Sequence, residues 1–131
     1  GFEPGQQIID VDGTKLSSGA MTNLGDYISG KGIEARMGKK PAEITDDGFW
    51  QDIARALAFG LNNTIVHWSP NVLVLGGSMM KKVGIPFDLV QGFTKEIMTS
   101  YPTLPEFRRA TLGDLGGLYG ALALCTQKSV Q

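Results

Sequence analysis

The longest regular pattern in the chain is helical. Phe49, Ile53, Ala54, Leu57, Ala58, Leu61, Ile65 and Trp68 recur at three- and four-residue steps, which puts them on one wide apolar face of an α-helix suited to packing on a sheet. Thr45 or Asp46 is placed to cap this helix, the acids at 46 and 47 suit the positive end of its dipole, and Ser69-Pro70 stops it. The rhythm then changes. Val72-Leu73-Val74-Leu75 is unbroken and β-favouring, a pattern expected of a strand covered on both faces, as in a parallel sheet between helices. Gly76-Gly77 follows at once. Two glycines let the backbone turn sharply and let a ligand approach with no Cβ in the way, and α/β folds hold small molecules at the carboxyl ends of their strands. A tight turn and a ligand contact both fit this pair.

The remaining elements are shorter. Residues 7–11 predict a strand closed by the Asp12-Gly13 turn, and residues 14–22, small and polar, predict a loop. Asn23 is placed to cap a helix over residues 24–36 with Leu24, Tyr27, Ile28 and Ile33 on one face, which Gly30 and Gly32 split or weaken. Residues 37–44 form a basic connector containing Pro41. A helix begins near Pro86, a favoured first-turn residue. Its face is Phe87, Val90, Phe93, Ile97 and Tyr101, and Pro102 bars its continuation. Residues 107–112 predict a second buried strand interrupted by two arginines, and residues 113–128 a last helix. In that helix Gly113, Gly116, Gly117, Gly120 and Ala121 stand at three- and four-residue steps. Each interior glycine costs about 1 kcal/mol relative to alanine, so either close helix–strand packing or a ligand against the backbone is expected there.

Two strand–glycine–helix units in succession predict an α/β fold, a small mostly parallel sheet flanked by helices, with a right-handed crossover between its parallel strands. Two or three strands are thin cover for so many apolar helix faces. Further strands are therefore expected from an upstream segment or from another chain. The absence of an initiator Met points the same way.

Composition narrows the classes. At 131 residues, 42% of them apolar, the chain is read as a single domain with a modest core. A net charge of −1 leaves no electrostatic footprint for nucleic acid or an anionic membrane. No run reaches the ~18 apolar residues of a membrane span, no signal-peptide pattern opens the chain, and the lone Cys125 excludes an intrachain disulfide. The expected location is the cytoplasm. Of the chemistry-bearing residues, His67 is read as a surface or helix-end histidine, and Cys125 as core. Asp10, Asp12, Asp46 and Asp47 are assigned to turns and a helix start, Asp114 to capping the last helix, and the basic stretch 31–40 with Arg36 and Lys39 to a solvated face.

Four segments in order resemble one family. They are Gly-Phe-Glu-Pro-Gly-Gln-Gln-Ile-Ile-Asp at the start, Asn23-Leu24-Gly25-Asp26-Tyr27-Ile28-Ser29-Gly30, Val72-Leu73-Val74-Leu75-Gly76-Gly77-Ser78, and Leu112-Gly113-Asp114-Leu115-Gly116-Gly117-Leu118-Tyr119-Gly120-Ala121. Together they resemble the carboxyl-terminal portion of the ROK family, which holds bacterial glucokinases, related sugar kinases and sugar-responsive repressors. The resemblance implies part of an actin/hexokinase-like, RNase H-like ATPase lobe that closes with a second lobe on ATP, Mg²⁺ and a sugar. It implies that Gly76 and Gly77 line the adenosine pocket with Ser78 beside it, and that Glu3 accepts hydrogen bonds from sugar hydroxyls. The first phosphate loop, the aspartate base and the second phosphate loop would all lie before Gly1, so no catalytic residue is expected in this chain, and the chain alone is expected to be inactive.

The pattern departs from the family's at the metal. The family's sugar- and zinc-binding histidine is replaced by Gln6, and its zinc cysteines by Leu16, Ser18 and Asn23. A leucine cannot ligate zinc, and Ser, Asn and Gln are poor replacements for thiolate and imidazole, so no zinc is expected. A second sugar-binding glutamate would fall at Gly25. Glu3 and Gln6 are left as the expected sugar contacts. The resemblance thus implies the carboxyl-terminal part of a zinc-less, ATP-dependent kinase of a glucose-like hexose, with residues 1–44 as a sugar-side segment and 45–131 as a nucleotide-side segment. The alternative is the sugar-sensing domain of a ROK-type repressor, and a third possibility is a remnant that only dimerises. A homo-oligomer, a dimer, is expected, with Phe93, Ile97 and the glycine-rich helix available for a symmetric interface.

Overall fold

The computed structural model describes residues 3–10, 22–81 and 84–127. A 3-10 turn, Pro4–Gln6, leads into β1 (Ile8–Asp10), which pairs antiparallel with β2 (Thr22–Asn23). Then come α1 (Leu24–Ile28), α2 (Gly30–Met37), a 3-10 turn at Pro41–Glu43 and the long α3 (Asp47–Trp68). After it run β3 (Val72–Leu75), α4 (Phe87–Ile97), β4 (Glu106–Arg109) and α5 (Gly116–Gln127). β3 and β4 pair in parallel, Val72 opposite Glu106 through Leu75 opposite Arg109. The α/β class with a parallel pair and flanking helices is therefore present, and the antiparallel pair β1–β2 is a separate sheet. Thr22, expected in a loop, is buried in β2. Val11, Asp12, Leu16, Ser18 and Lys128 lie outside the described residues.

Local chemistry sets the helix ends. Asn23 Oδ1 accepts from the Asp26 N–H at 2.7 Å and starts α1. The expected split falls at Ser29, which ends α1 and caps α2, its Oγ accepting from the Gly32 N–H at 3.1 Å. Asp46 is the cap of α3, with Oδ1 accepting from Gly48 N–H at 2.8 Å and Phe49 N–H at 3.4 Å. Asp47 is the first helical residue. Ser69 closes α3 in the left-handed region, φ 45°, before Pro70. α4 ends at Ile97, one turn short of Tyr101. Tyr101 is not part of the helix face: its hydroxyl lies 3.2 Å from Ser69 Oγ, in the loop.

The core lies between α3, α4 and one face of the parallel sheet. Ile33, Ile44, Trp50, Ile53, Ala54, Leu57, Leu61, Ile85 and Val90 form it, and Leu73, Leu75, Phe93 and Phe107 pack against it. Trp50 satisfies its indole N–H with the Ile44 carbonyl at 2.9 Å.

The other face of the sheet corrects the expectation of a strand covered on both sides. Val72 and Val74 are exposed, Val74 by 61%. The reason is numerical: the parallel sheet has two strands, and α3 and α4 cover one side of it. α5 packs chiefly on the turn before it, and Leu118 (70% exposed), Leu122 and Leu124 face outward. Nothing among the described residues stands within 4 Å of where a Cβ would sit at Gly117 or Gly120, so the close approach expected there is not made inside this chain. Cys125, expected in the core, is exposed for the same reason.

Two polar assignments also change. Asp10 is not in a turn; it is buried in β1. Arg36 is not on a solvated face, although Lys31 and Lys39 are. Its guanidinium lies 4.6 Å from the centre of the Tyr27 ring and donates to the carbonyls of Tyr27 (2.9 Å) and Asp26 (3.3 Å). Burial raises the Tyr27 pKa above its ordinary value, with Asp52 and Asp10 adding to the effect and Arg36 opposing it, and burial lowers that of Arg36. A tyrosine whose folded pKa is raised favours the neutral ring. Its contribution is complete below the unfolded value of about 10 and is lost as pH rises through the folded value. Thermal unfolding between about pH 8 and about pH 11 should therefore show an alkaline loss of stability that Tyr27→Phe reduces. An identical alkaline slope in the variant would refute this.

Candidate functional site

A cleft of about 170 Å³ opens at the carboxyl ends of β3 and β4. Its walls are Leu75, Gly76 and Gly77 on the β3 side and Arg109, Ala110 and Gly113 on the β4 side, with Met80, Lys81 and Asp114 around them. The two parallel strands position it, since the last ladder bond, Ala110 N–H to the Leu75 carbonyl at 2.9 Å, lies just inside. Beyond that bond both chains turn away through positive-φ glycines, Gly77 at 92° and Gly113 at 56°. L-residues rarely adopt these conformations, and at neither glycine does any described atom lie within 4 Å of a would-be Cβ. The result is bare main chain on both walls.

Gly76 has a different reason for being glycine. A Cβ there would stand 2.5 Å from the Ala110 Cβ, so its absence lets the chain ends stay close. Ser78 opens the 3-10 turn Ser78–Met80 and is not among the residues lining the cleft. The structure thus brings Gly76 and Gly77 to the cleft and leaves Ser78 beside it.

Charge is placed at the mouth. Lys81 Nζ donates to both carboxylate oxygens of Asp114, at 3.0 and 3.2 Å. Asp114, expected to cap the last helix, is engaged by this lysine instead. Arg109 stacks over the Phe87 ring at 4.2 Å and lies 3.5 Å from Asp88 Oδ1. Its neighbour Arg108 turns to the opposite face and holds Glu106 in a two-pronged pair at 2.7 and 2.8 Å, which lowers the Glu106 pKa. The strand alternation explains both arginines: Phe107 and Arg109 face the core side, Glu106 and Arg108 the solvent.

The predicted sugar residues lie elsewhere. Glu3 lines a shallow cavity of about 240 Å³ with Pro4, Gln7, Asn63, Thr64, His67 and Trp68. Gln7 braces it, donating to the Gly60 carbonyl at 3.1 Å and accepting from Asn63 Nδ2 at 2.9 Å. His67 is exposed at the end of α3, as expected, with Nδ1 2.6 Å from the Asn63 carbonyl. Gln6 is exposed and not part of that lining; Asn23 Nδ2 reaches its Oε1 at 3.5 Å. This cavity and the glycine cleft share no lining residue. Lys81 and Ala110 at the cleft, and Asn63 beside Glu3, were not singled out from the sequence, and Arg109 and Trp68 were read only as a strand interruption and a helix-face residue, because only tertiary contact brings these residues to the two cavities. Among the described residues no group of three or more His, Cys, Asp or Glu could hold a metal ion, and no helix is long and apolar enough to cross a membrane.

The architecture is that of an actin/hexokinase-like lobe. The crystal structure of a ROK hexokinase from Thermus thermophilus superposes with a TM-score of 0.77 at 22% identity, over 92% of this chain and 46% of that one. The sequence pattern of the ROK family matches residues 3–128, and the chain belongs to the ROK family. A Bacillus subtilis (strain 168) protein named "Putative fructokinase" is 31% identical over 108 residues, 76% of this chain and 36% of that protein. The chain therefore spans less than half the length of either relative.

Proposed function

We propose that this chain is the carboxyl-terminal part of a ROK-type sugar kinase and supplies the adenosine wall of its cleft. The carrying observation is the pair of bare glycine turns, at Gly77 and Gly113, facing one another at the carboxyl ends of parallel strands. Adenine and ribose need a flat main-chain surface more than a charged group, and this is the usual place for a ligand in α/β folds. Residues 45–131 form the nucleotide side and residues 1–44 the sugar side, where Glu3, with Gln6 next to it, meets the hydroxyls. A carboxylate suits a polyol because it offers acceptors in several directions.

The whole protein would transfer the γ-phosphoryl group of ATP to a hexose hydroxyl. The hydroxyl oxygen bonds to phosphorus, ADP leaves, and the proton passes to a base supplied by a segment other than this one. Mg²⁺ offsets phosphate charge in such transfers. Asp114, the one carboxylate among the described residues that line the cleft, is no donor set for that ion, and no step in this segment runs through it. Zinc has no role in this reading. The names of the two relatives, a fructokinase and a hexokinase, favour a hexose substrate and a kinase over a repressor. A cytoplasmic, dimeric protein completes the proposal.

The test is a titration of the 131-residue chain with ATP, followed by NMR, together with a coupled assay for ADP release. Amide signals of Gly76, Gly77 and Gly113 should shift, while D-glucose, D-fructose and D-mannose should give no turnover above background. Unmoved glycine amides at millimolar ATP would remove the nucleotide role. Turnover by the chain alone would show that the catalytic groups are not elsewhere.

A further inference from the structure

The glycine cleft is small. Ordinary small-molecule sites occupy about 300–1,000 Å³, whereas this one holds about 170 Å³. A nucleoside cannot sink into it whole; with its flat base against the glycine walls, its sugar and phosphates would lie at the mouth. The mouth carries the Lys81–Asp114 pair, with side chains 57% and 83% exposed. That pair ties the turn after β3 to the turn before α5, the two segments between which the ligand would pass.

We infer that Lys81 and Asp114 exchange partners when a nucleotide binds: Asp114 takes the ribose hydroxyls and Lys81 takes the phosphate. This holds only if the cleft accepts a nucleoside, as proposed above. An ion pair exposed on both sides is worth little and parts easily. A carboxylate is acceptor-only and matches two adjacent hydroxyl donors, and a lysine ammonium on a flexible stem suits phosphate as a point charge. The exchange leaves neither group unpaired. Arg109 is less free to take part, being stacked on Phe87 beside Asp88.

The partner exchange predicts a double discrimination, read by NMR titration of the full chain with adenosine, 2′,3′-dideoxyadenosine and ADP. Asp114→Asn should weaken adenosine about tenfold, the scale of a lost hydrogen bond to a charged group, and leave dideoxyadenosine unchanged. Lys81→Met should weaken ADP about tenfold and leave adenosine unchanged or slightly tighter. Both residues are exposed, so spectra away from the cleft should superpose on those of the parent. If Asp114→Asn leaves the ratio of adenosine to dideoxyadenosine affinity unchanged, or Lys81→Met leaves that of ADP to adenosine unchanged, the exchange is wrong while the nucleotide site stands. If none of the three ligands moves the Gly76, Gly77 and Gly113 amides, the site and the exchange fall together.

Discussion

Replacing Gly32 by alanine is expected to cost the fold about 2–3 kcal/mol, near the top of the range for overpacking. Gly32 is in the first turn of α2, and a Cβ there would overlap the carbonyl oxygen of Asp26 and stand 2.7 Å from its carbonyl carbon. Both atoms are backbone, so no side-chain rotation relieves the contact. α1 cannot readily move either. Asn23 caps it, Ser29 joins it directly to α2, and Arg36 donates to the carbonyls of Asp26 and Tyr27. Alanine is the better helix former by about 1 kcal/mol, which works in the opposite direction and is outweighed. Urea unfolding decides the sign: a lower midpoint is expected, and an unchanged or higher one would mean that helix propensity prevails over the clash. Against a total stability of about 5–15 kcal/mol the effect is large.

Gly76→Ala is expected to cost about 1–3 kcal/mol and to close the glycine cleft. The new methyl group would meet the Ala110 Cβ at 2.5 Å, where the β3 and β4 chains leave the ladder. Because the obstacle is one methyl group, the test includes its removal: Ala110→Gly in the Gly76→Ala background should restore most of the stability and the nucleotide-induced shift of the Gly77 amide. Such reciprocal rescue measures the contact directly. If Ala110→Gly rescues neither, Gly76 is glycine for a reason other than this contact.

Both predictions concern glycines whose roles could not be told apart in the sequence. Gly32 was read as one of two glycines that split or weaken a helix, whereas the break falls at Ser29 and Gly32 lies inside α2, its tight seat on the Asp26 carbonyl following from how α2 meets α1. Gly76 and Gly77 read as one motif, yet one is glycine because a neighbouring strand is near and the other because its φ is positive. Lys81 gave no signal. It meets Asp114 across 33 positions of sequence, a pairing that no local pattern encodes.

By itself, the order of residues determined the period and the punctuation. It placed the apolar face and the Asp46 cap of α3, a weak point in the helix near Gly30, the strand β3 and the bare turn after it, since these depend on neighbours within about one helical turn or strand pleat. Tertiary structure decided what meets what. It left Val74, α5 and Cys125 exposed, because among the described residues nothing lies over the other face of the two-stranded sheet. It buried Asp10 and laid the half-buried Arg36 over the Tyr27 ring against expectation, and it set Lys81 and Asp114 at the mouth of a cleft. Burial and pairing are properties of segments far apart in the chain, so they are fixed only once the chain has closed on itself.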